Sequence, residues 1–271
     1  MIRWSTICLV ILAAKTIPVS GQADSSFRYL NRVEGIYSDF TVDNLDNIYL
    51  FAIAGRLKKI KPNGDSVAVY NDIRHYGIPS LADADNPLKI LLLYKNYSTV
   101  IILDQLLDVR HTINLREVHM YSTSAVTSSY DNNIWLFDAE EYKLKKIDDN
   151  GKVLLESTDW RQLMDTVPQP DFIKETNGNV YLYDKEYGFC VFDYYGALKN
   201  QLHFKGWDHV GASGNILYGF GEGVLYTYKL NTLQMKAFPL PSFFAGSLAV
   251  KAMNGKVYVL KKDGLEIYLL K

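Results

Sequence analysis

Cysteine is almost missing from this chain, with two among 271 residues, and one of them, Cys8, lies inside the N-terminal apolar run Ile7 to Ala14. Only Cys190 remains beyond that run, so no intramolecular disulfide can staple the fold and a disulfide scaffold is excluded. An excess of charge is missing too. Lys and Arg total 29 against 30 Asp and Glu, a net charge of −1, which lacks the cationic surplus that nucleic-acid binding demands. Long apolar runs are absent: Ile7 to Ala14 has eight residues, far short of the roughly 20 that span a bilayer. Several chemical signatures are also wanting. The sequence has no H-E-x-x-H or C-x-x-C zinc spacing, no G-x-S-x-G elbow, no phosphate-cradling Gly loop and no EF-hand loop. Apolar residues make up 48% of the chain, with 20 Tyr, enough for a sizeable core and incompatible with disorder.

The first 21 residues, MIRWSTICLVILAAKTIPVSG, place the cation Arg3 ahead of the apolar run and break the run with Lys15 and Pro18. This is the pattern of a secretory signal peptide, with Val19 and Gly21 offering small residues before a cut at Gln22. The expectation is residues 1–21 as signal and 22–271 as one exported domain, periplasmic or secreted, with no transmembrane segment in the mature chain. Loss of Arg3 and Lys15 takes the net charge from −1 to −3. Cys190, within the apolar run Phe189 to Phe192 and without a neighbouring base, reads as a small core residue.

The rest of the chain repeats itself. TVDNLDNIYLF (41–51) joins turn chemistry to an apolar strand, and the pairing returns as SSYDNNIWLF (128–137), KETNGNVYLY (174–183), GASGNILYGF (211–220) and KAMNGKVYVL (251–260), with ADADNPLKILLLY (82–94) as a weaker copy. Asn, Asp and Gly precede each strand because they tolerate the left-handed backbone of tight hairpins. The first apolar residues of these strands, Ile48, Ile90, Ile134, Val180, Ile216 and Val257, are 36 to 46 residues apart. A second strand follows at an offset of 11 to 13, at Ile60, Leu103, Ile147, Phe192, Tyr228 and Tyr268. Units of this length, built of short strands that are apolar on both faces, specify radial sheets squeezed between neighbours. The fold class expected is all-β, a six-bladed β-propeller. Its last unit supplies only three strands, so FRYLNRVEGIY (27–37) is expected to close the last blade as its outer strand.

The first unit resembles NHL-type propeller repeats through Val42, Asp43, Asn47, Ile48 and Tyr49, then Arg56, Leu57 and Ile60, then Asn63 and Gly64. The third unit is similar through Asn133, Ile134, Leu144, Ile147, Asn150 and Gly151, while unit two lacks the Gly turn and unit five the Arg. That resemblance implies a six-bladed propeller serving as a binding platform or, in some relatives, as a hydrolase or lyase.

Candidate chemistry is sparse. The hairpin acids Asp43, Asp46, Asp85 and Asp131 and Asn132 are accounted for by turn formation. The five histidines fall in stretches expected to be outer strands or connectors, and the basic runs Lys58, Lys59, Lys61 and Lys145, Lys146 read as solvated strands. Glu140 and Glu141 are adjacent, so on a strand they would face opposite ways. No catalytic residue, metal ligand or cofactor site emerges. The connectors between blades collect the residue types that anchor interfaces: Arg74, Tyr76, Arg116, His119, Trp160, Arg161, Trp207 and His209. These are the candidate ligand-binding residues, with inter-blade packing as the alternative role for the aromatics. The longest connector, 159–171, is expected to hold a helical turn before Pro168. The function that follows is a non-catalytic exported platform for an envelope protein or extracellular polymer; a metal-assisted hydrolase or lactonase with its site at the channel mouth is the alternative.

Overall fold

The computed structural model describes residues 26–53 and 55–271; the expected signal peptide lies outside the described residues. Six four-stranded antiparallel sheets stand side by side. Five are continuous in sequence, with first strands Tyr37–Val42, Leu81–Asn86, Thr123–Ser128, Phe172–Thr176 and Asp208–Ser213 opening blades 1 to 5. Blade 6 contains Ala249–Met253, Lys256–Lys261 and Gly264–Leu270, and its fourth strand is the N-terminal Phe27–Glu34, paired antiparallel from Phe27↔Leu270 to Glu34↔Gly264. The expected closure is therefore present. The six first strands surround a single cavity of about 130 Å³, to which every blade contributes lining residues. The blade axis therefore carries a channel.

Each blade is cut from the same hairpin chemistry. In the turn between the third and fourth strands of blade 2, the Asp104 carboxylate accepts the backbone N–H of Leu106 at 2.8 Å and of Asp108 at 3.0 Å. Asp148 and Asp193 do the same at the matching turns of blades 3 and 4. Asp43 repeats it in the first turn of blade 1 and additionally accepts Tyr49 Oη at 3.0 Å. The residue between the two donors must then turn left-handed, and φ is +63° at Asp46, +64° at Leu107, +83° at Gly151 and +77° at Gly196. Asp at the first position is therefore a demand of one turn geometry, and the left-handed fourth position is filled by Gly at Gly151 and Gly196 and by Asp46 and Leu107 elsewhere. The 11-to-13 offset also has a direct meaning. Ile48↔Ile60, Ile90↔Leu103, Ile134↔Ile147, Val180↔Phe192 and Val257↔Tyr268 are cross-strand partners of the second and third strands. Blade 5 departs by one residue, with Tyr228 opposite Leu217.

The core is six separate interfaces rather than one centre. In blade 2 the second strand sends Ile90, Leu92 and Tyr94 toward blade 1 and Leu91 and Leu93 toward blade 3. Blade 3 splits in the same way, with Ile134 and Leu136 on one side and Trp135 and Phe137 on the other. Tyr258 and Leu260 of blade 6 meet Phe40, Ile48 and Leu50 of blade 1, which closes the ring. Alternation with period two on a strand buried on both faces produces this split.

At the edge where the first-to-second hairpins lie, polar bonds stitch the blades together. Lys59 donates to the Gln105 carbonyl at 3.0 Å, joining blades 1 and 2, and Asn86 reaches Asn132 at 3.3 Å, joining 2 and 3. Glu175 of blade 4 accepts from Ser129, from the Tyr130 N–H and from Trp135 Nε1 of blade 3. Thr176 donates to the Gly214 carbonyl, Asn254 N–H donates to Ser213, and Lys256 pairs with Asp46 at 2.7 Å. Lys59, Lys145 and Lys146 are thus buried and bonded, which corrects the expectation of solvated strands. Burial of an ammonium is tolerated here because each has a carbonyl or carboxylate aimed at it.

Two outcomes follow. Deleting residues 27–34 removes the buried Phe27, worth about 2–3 kcal/mol by area, and bares a strand edge; the melting temperature should fall by about 5–10 °C, with aggregation visible by light scattering. The second concerns acid. Partial burial opposes ionisation of Asp131, but Lys146, Ser129 and Asn133 outweigh it and draw the carboxyl down to about 2. Its folded pKa lies below the unfolded value of about 3.9, so the stabilisation is present above pH ~4 and is lost as the pH falls toward ~2. Melting temperatures measured from pH 5 to pH 2 should decline less steeply in Asp131→Asn than in the parent.

Candidate functional site

The connector residues separate into plugs and rim. Trp160, in the helical turn Trp160–Gln162 of the long connector, is completely buried, stacked on Phe192 at 5.0 Å and tilted against Phe137 at 4.5 Å. It fills the wedge between blades 3 and 4 and offers no surface to a ligand. Trp207 is also buried, stacked on Phe204 at 5.0 Å and Tyr226 at 5.5 Å. Gly219 makes that packing possible, since a Cβ there would come within 2.5 Å of the indole. Arg161 is held by Asp159 and lies 5.1 Å over the Tyr142 ring. Arg116 donates to Ser98 Oγ at 3.4 Å and to the Asn96 carbonyl at 3.3 Å, tying its connector to blade 2. Tyr76 packs on Tyr94 and Tyr97, and the His119 ring lies 3.2 Å from Tyr121 Oη. Arg74 sits in the helical turn Ile73–Tyr76, its side chain outside the described set. The structure does not gather these residues into one surface.

One of them it moves. His209 was expected in a connector but lies in the first strand of blade 5, Asp208–Ser213. There the pairing skips from Asp208↔Phe220 to Gly211↔Tyr218, leaving His209 and Val210 as a bulge, with φ +47° at His209. A left-handed non-glycine residue in a bulge costs energy and re-aims its side chain. Here the imidazole is aimed at the mouth of the channel, on the side where the first strands begin. A cavity of about 360 Å³ opens at that point, lined by Asp39 of blade 1, Asp171, Phe172, Tyr183 and Lys185 of blade 4, Trp207, Asp208 and His209 of blade 5, and Lys251 of blade 6. Of the eight residues singled out by sequence, His209 and the edge of Trp207 are those that line it.

The mouth is built on a rigid wall. Tyr183 Oη donates to the Trp207 carbonyl at 3.1 Å and accepts the Trp207 N–H at 2.7 Å, so the end of blade 4 is clamped to the start of blade 5. Lys185 pairs with Asp208 at 2.6 Å on the rim. Burial lowers the pKa of His209, against the pull of Asp208 and Asp39 and with the help of Lys251 and Lys185. Burial raises that of Asp171, against Lys95. Below the mouth the channel is charged. Lys174 of blade 4 reaches across the face of blade 3 to pair with Asp85 of blade 2, and Asp83 accepts the Ser128 N–H at 2.7 Å and Thr127 Oγ1 at 3.2 Å. Burial lowers the Lys174 pKa, opposed by Asp83 and reinforced by Lys251. Asp85 is therefore a channel residue rather than a hairpin residue, a correction to the sequence expectation. Its strand runs Leu81–Asn86, which makes the turn after it shorter than in blades 1 and 3.

Chemically this is a charged receptacle. No Ser, Thr or Cys lines the mouth, and among the described residues no three His, Cys, Asp or Glu side chains group in a way that could hold a metal ion. Among the described residues no helix is long and apolar enough to cross a membrane. The buried Cys190 thiol, pushed up to about 12 by desolvation first and Asp184 second, is a core group of blade 4. The charges Asp39, Asp83, Lys174 and Lys251 of the first strands, and Asp171 just ahead of one, were missed in the sequence because a polar residue in an apolar strand reads as mere alternation. The available signal was their recurrence in the first strand of several repeats.

No family model matches the chain, and no curated protein matches it in sequence. Solved structures do resemble it in shape. A streptogramin B lyase structure superposes with a TM-score of 0.59 at 15% identity, covering 86% of this chain and 78% of that one. A catalytically inactive virginiamycin B lyase from Staphylococcus aureus with quinupristin gives 0.62 at 10% identity, over 90% and 99%. The WD40 domain of Neurospora crassa Pan2 gives 0.61 at 11%, over 90% and 95%. The shared property is the β-propeller fold. Identities this low carry the fold and no activity.

The plug role of Trp160 has a measurable consequence. Trp160→Ala should cost about 3–5 kcal/mol in urea denaturation, as expected for emptying a large aromatic site, whereas Arg161→Ala on the adjacent surface should leave the midpoint in place.

Proposed function

We propose that the protein is an exported, non-catalytic binding platform whose ligand enters the mouth of the propeller channel. The observation that carries this reading is the cavity of about 360 Å³ where blades 1, 4, 5 and 6 deliver Asp39, Asp171, His209 and Lys251 to one place. Charged and aromatic groups converging from four blades on a rigid ring recognise a ligand with little ordering cost. No Ser, Thr or Cys stands in the lining as the nucleophile of an acyl-transfer reaction. Propellers bind where loops and strand ends gather, and the mouth is such a place. Export is supported by the Arg3, Ile7–Ala14 and Gly21 pattern, and the envelope or extracellular space then supplies the partner. The alternative is a metal-assisted hydrolase or lactonase at the same mouth, and a metal content measurement on the purified protein distinguishes the two.

Fractionation of a bacterial host expressing the full chain should recover the protein outside the cytoplasm with the mass of residues 22–271; retention of the full-length mass in the cytosol overturns the export half. For the binding half, a photoreactive side chain introduced at Phe172 should crosslink a partner from the exported fraction. His209→Ala should reduce that crosslink severalfold, while Val153→Ser on the outer surface should not.

A further inference from the structure

The mouth holds an asymmetry of charge that its internal pairs do not settle. Two lysines that line the mouth and channel are matched: Lys185 with Asp208 and Lys174 with Asp85. Lys251 is not. Among the described residues it forms no salt bridge, and its ammonium lies 5.7 Å from the centre of the Phe40 ring. It lines both the mouth and the channel beneath, so it stands at the floor where the two meet. The rim has the opposite surplus. Asp39 accepts only the N–H of its own neighbour Phe40, at 2.8 Å, and Asp171 forms no salt bridge among the described residues. Lys95 and Lys185 act on Asp171 through space only. One unpaired cation at depth, beside the Lys174–Asp85 pair, with two carboxylates above it is complementary to a ligand that carries an anion at its tip and a cation behind.

Resting on the platform reading above, we infer that the mouth captures the free C-terminus of a partner polypeptide: the terminal carboxylate meets Lys251, and a basic side chain upstream meets Asp171 and Asp39. The ring of Phe172 and the edge of Trp207 provide an apolar wall for the last side chain. Charge-assisted contacts of this kind are about twice as strong as neutral ones. An acidic polysaccharide satisfies Lys251 but sets its remaining carboxylates against Asp39 and Asp171, so it fits the floor and not the rim. A neutral polymer fits neither.

The test uses the mature protein and a hexapeptide, Gly-Gly-Ser-Lys-Lys-Leu, labelled with fluorescein at its N-terminus and read by anisotropy. Amidation of the C-terminus should weaken binding about tenfold or more, the equivalent of about 1.4 kcal/mol. Lys251→Gln should abolish the difference between acid and amide, and Lys251→Arg should retain it. Asp171→Asn should weaken the Lys-Lys peptide while leaving Gly-Gly-Ser-Ser-Ser-Leu unaffected. Equal binding of acid and amide overturns the inference, as does Lys251-dependent binding of trigalacturonate in place of the peptide. Displacement by free lysine at the same concentration as the peptide overturns it in favour of a small-molecule site. If the Phe172 crosslink persists and depends on His209 while acid and amide bind alike, this inference fails and the platform reading stands.

Discussion

The second strand of every blade in this protein is buried on both faces, and no single blade can satisfy that condition alone. A sheet carrying Ile90, Leu92 and Tyr94 on one side and Leu91 and Leu93 on the other needs a neighbour on each side. The demand passes from blade to blade and ends only when the last meets the first. That contact is made by Tyr258, Leu260 and Leu265 against Phe40, Ile48 and Leu50. Closure is thus a consequence of two-sided burial, and the N-terminal outer strand of blade 6 completes it by covering an edge that would otherwise pair with another molecule.

Once the ring exists, its two ends serve different purposes. The hairpin end is cross-linked at every junction by buried or half-buried polar groups, among them Lys59 to Gln105, Trp135 and Ser129 to Glu175, and Lys256 to Asp46. Such bonds hold the blades in register, because each buried cation or carboxylate is costly if its partner shifts away. The opposite end is tied mainly through aromatic plugs and the Tyr183 to Trp207 clamp, which leaves charged groups at the mouth without partners of their own.

Much of this was legible in the residues. Turn chemistry at Asp43, Asp104, Asp148 and Asp193 announced the hairpins, and the 11-to-13 spacing was the cross-strand register itself. The helical turn at Trp160 and the outer strand from Phe27 were also legible, because each rests on local pattern or on a count of strands. The role of the connectors was less so. Trp160 and Trp207 carry the composition of an interface anchor, yet they point into wedges whose existence depends on the angle between neighbouring sheets. Lys145 and Lys146 looked solvated because the carboxylates that bury them, Asp138 and Asp131, approach only after the hairpin folds.

The amino-acid order alone determined that strands repeat, where they turn, how many blades form and which strand closes them, since period-two burial and turn geometry act over a few residues at a time. Tertiary structure decided which side chains share the channel mouth. Asp39, Asp171, His209 and Lys251 come from four blades and as many as 212 positions apart, and only curvature of the ring brings them together. A bulge of two residues, invisible in the sequence pattern, turned His209 from a connector candidate into part of that wall.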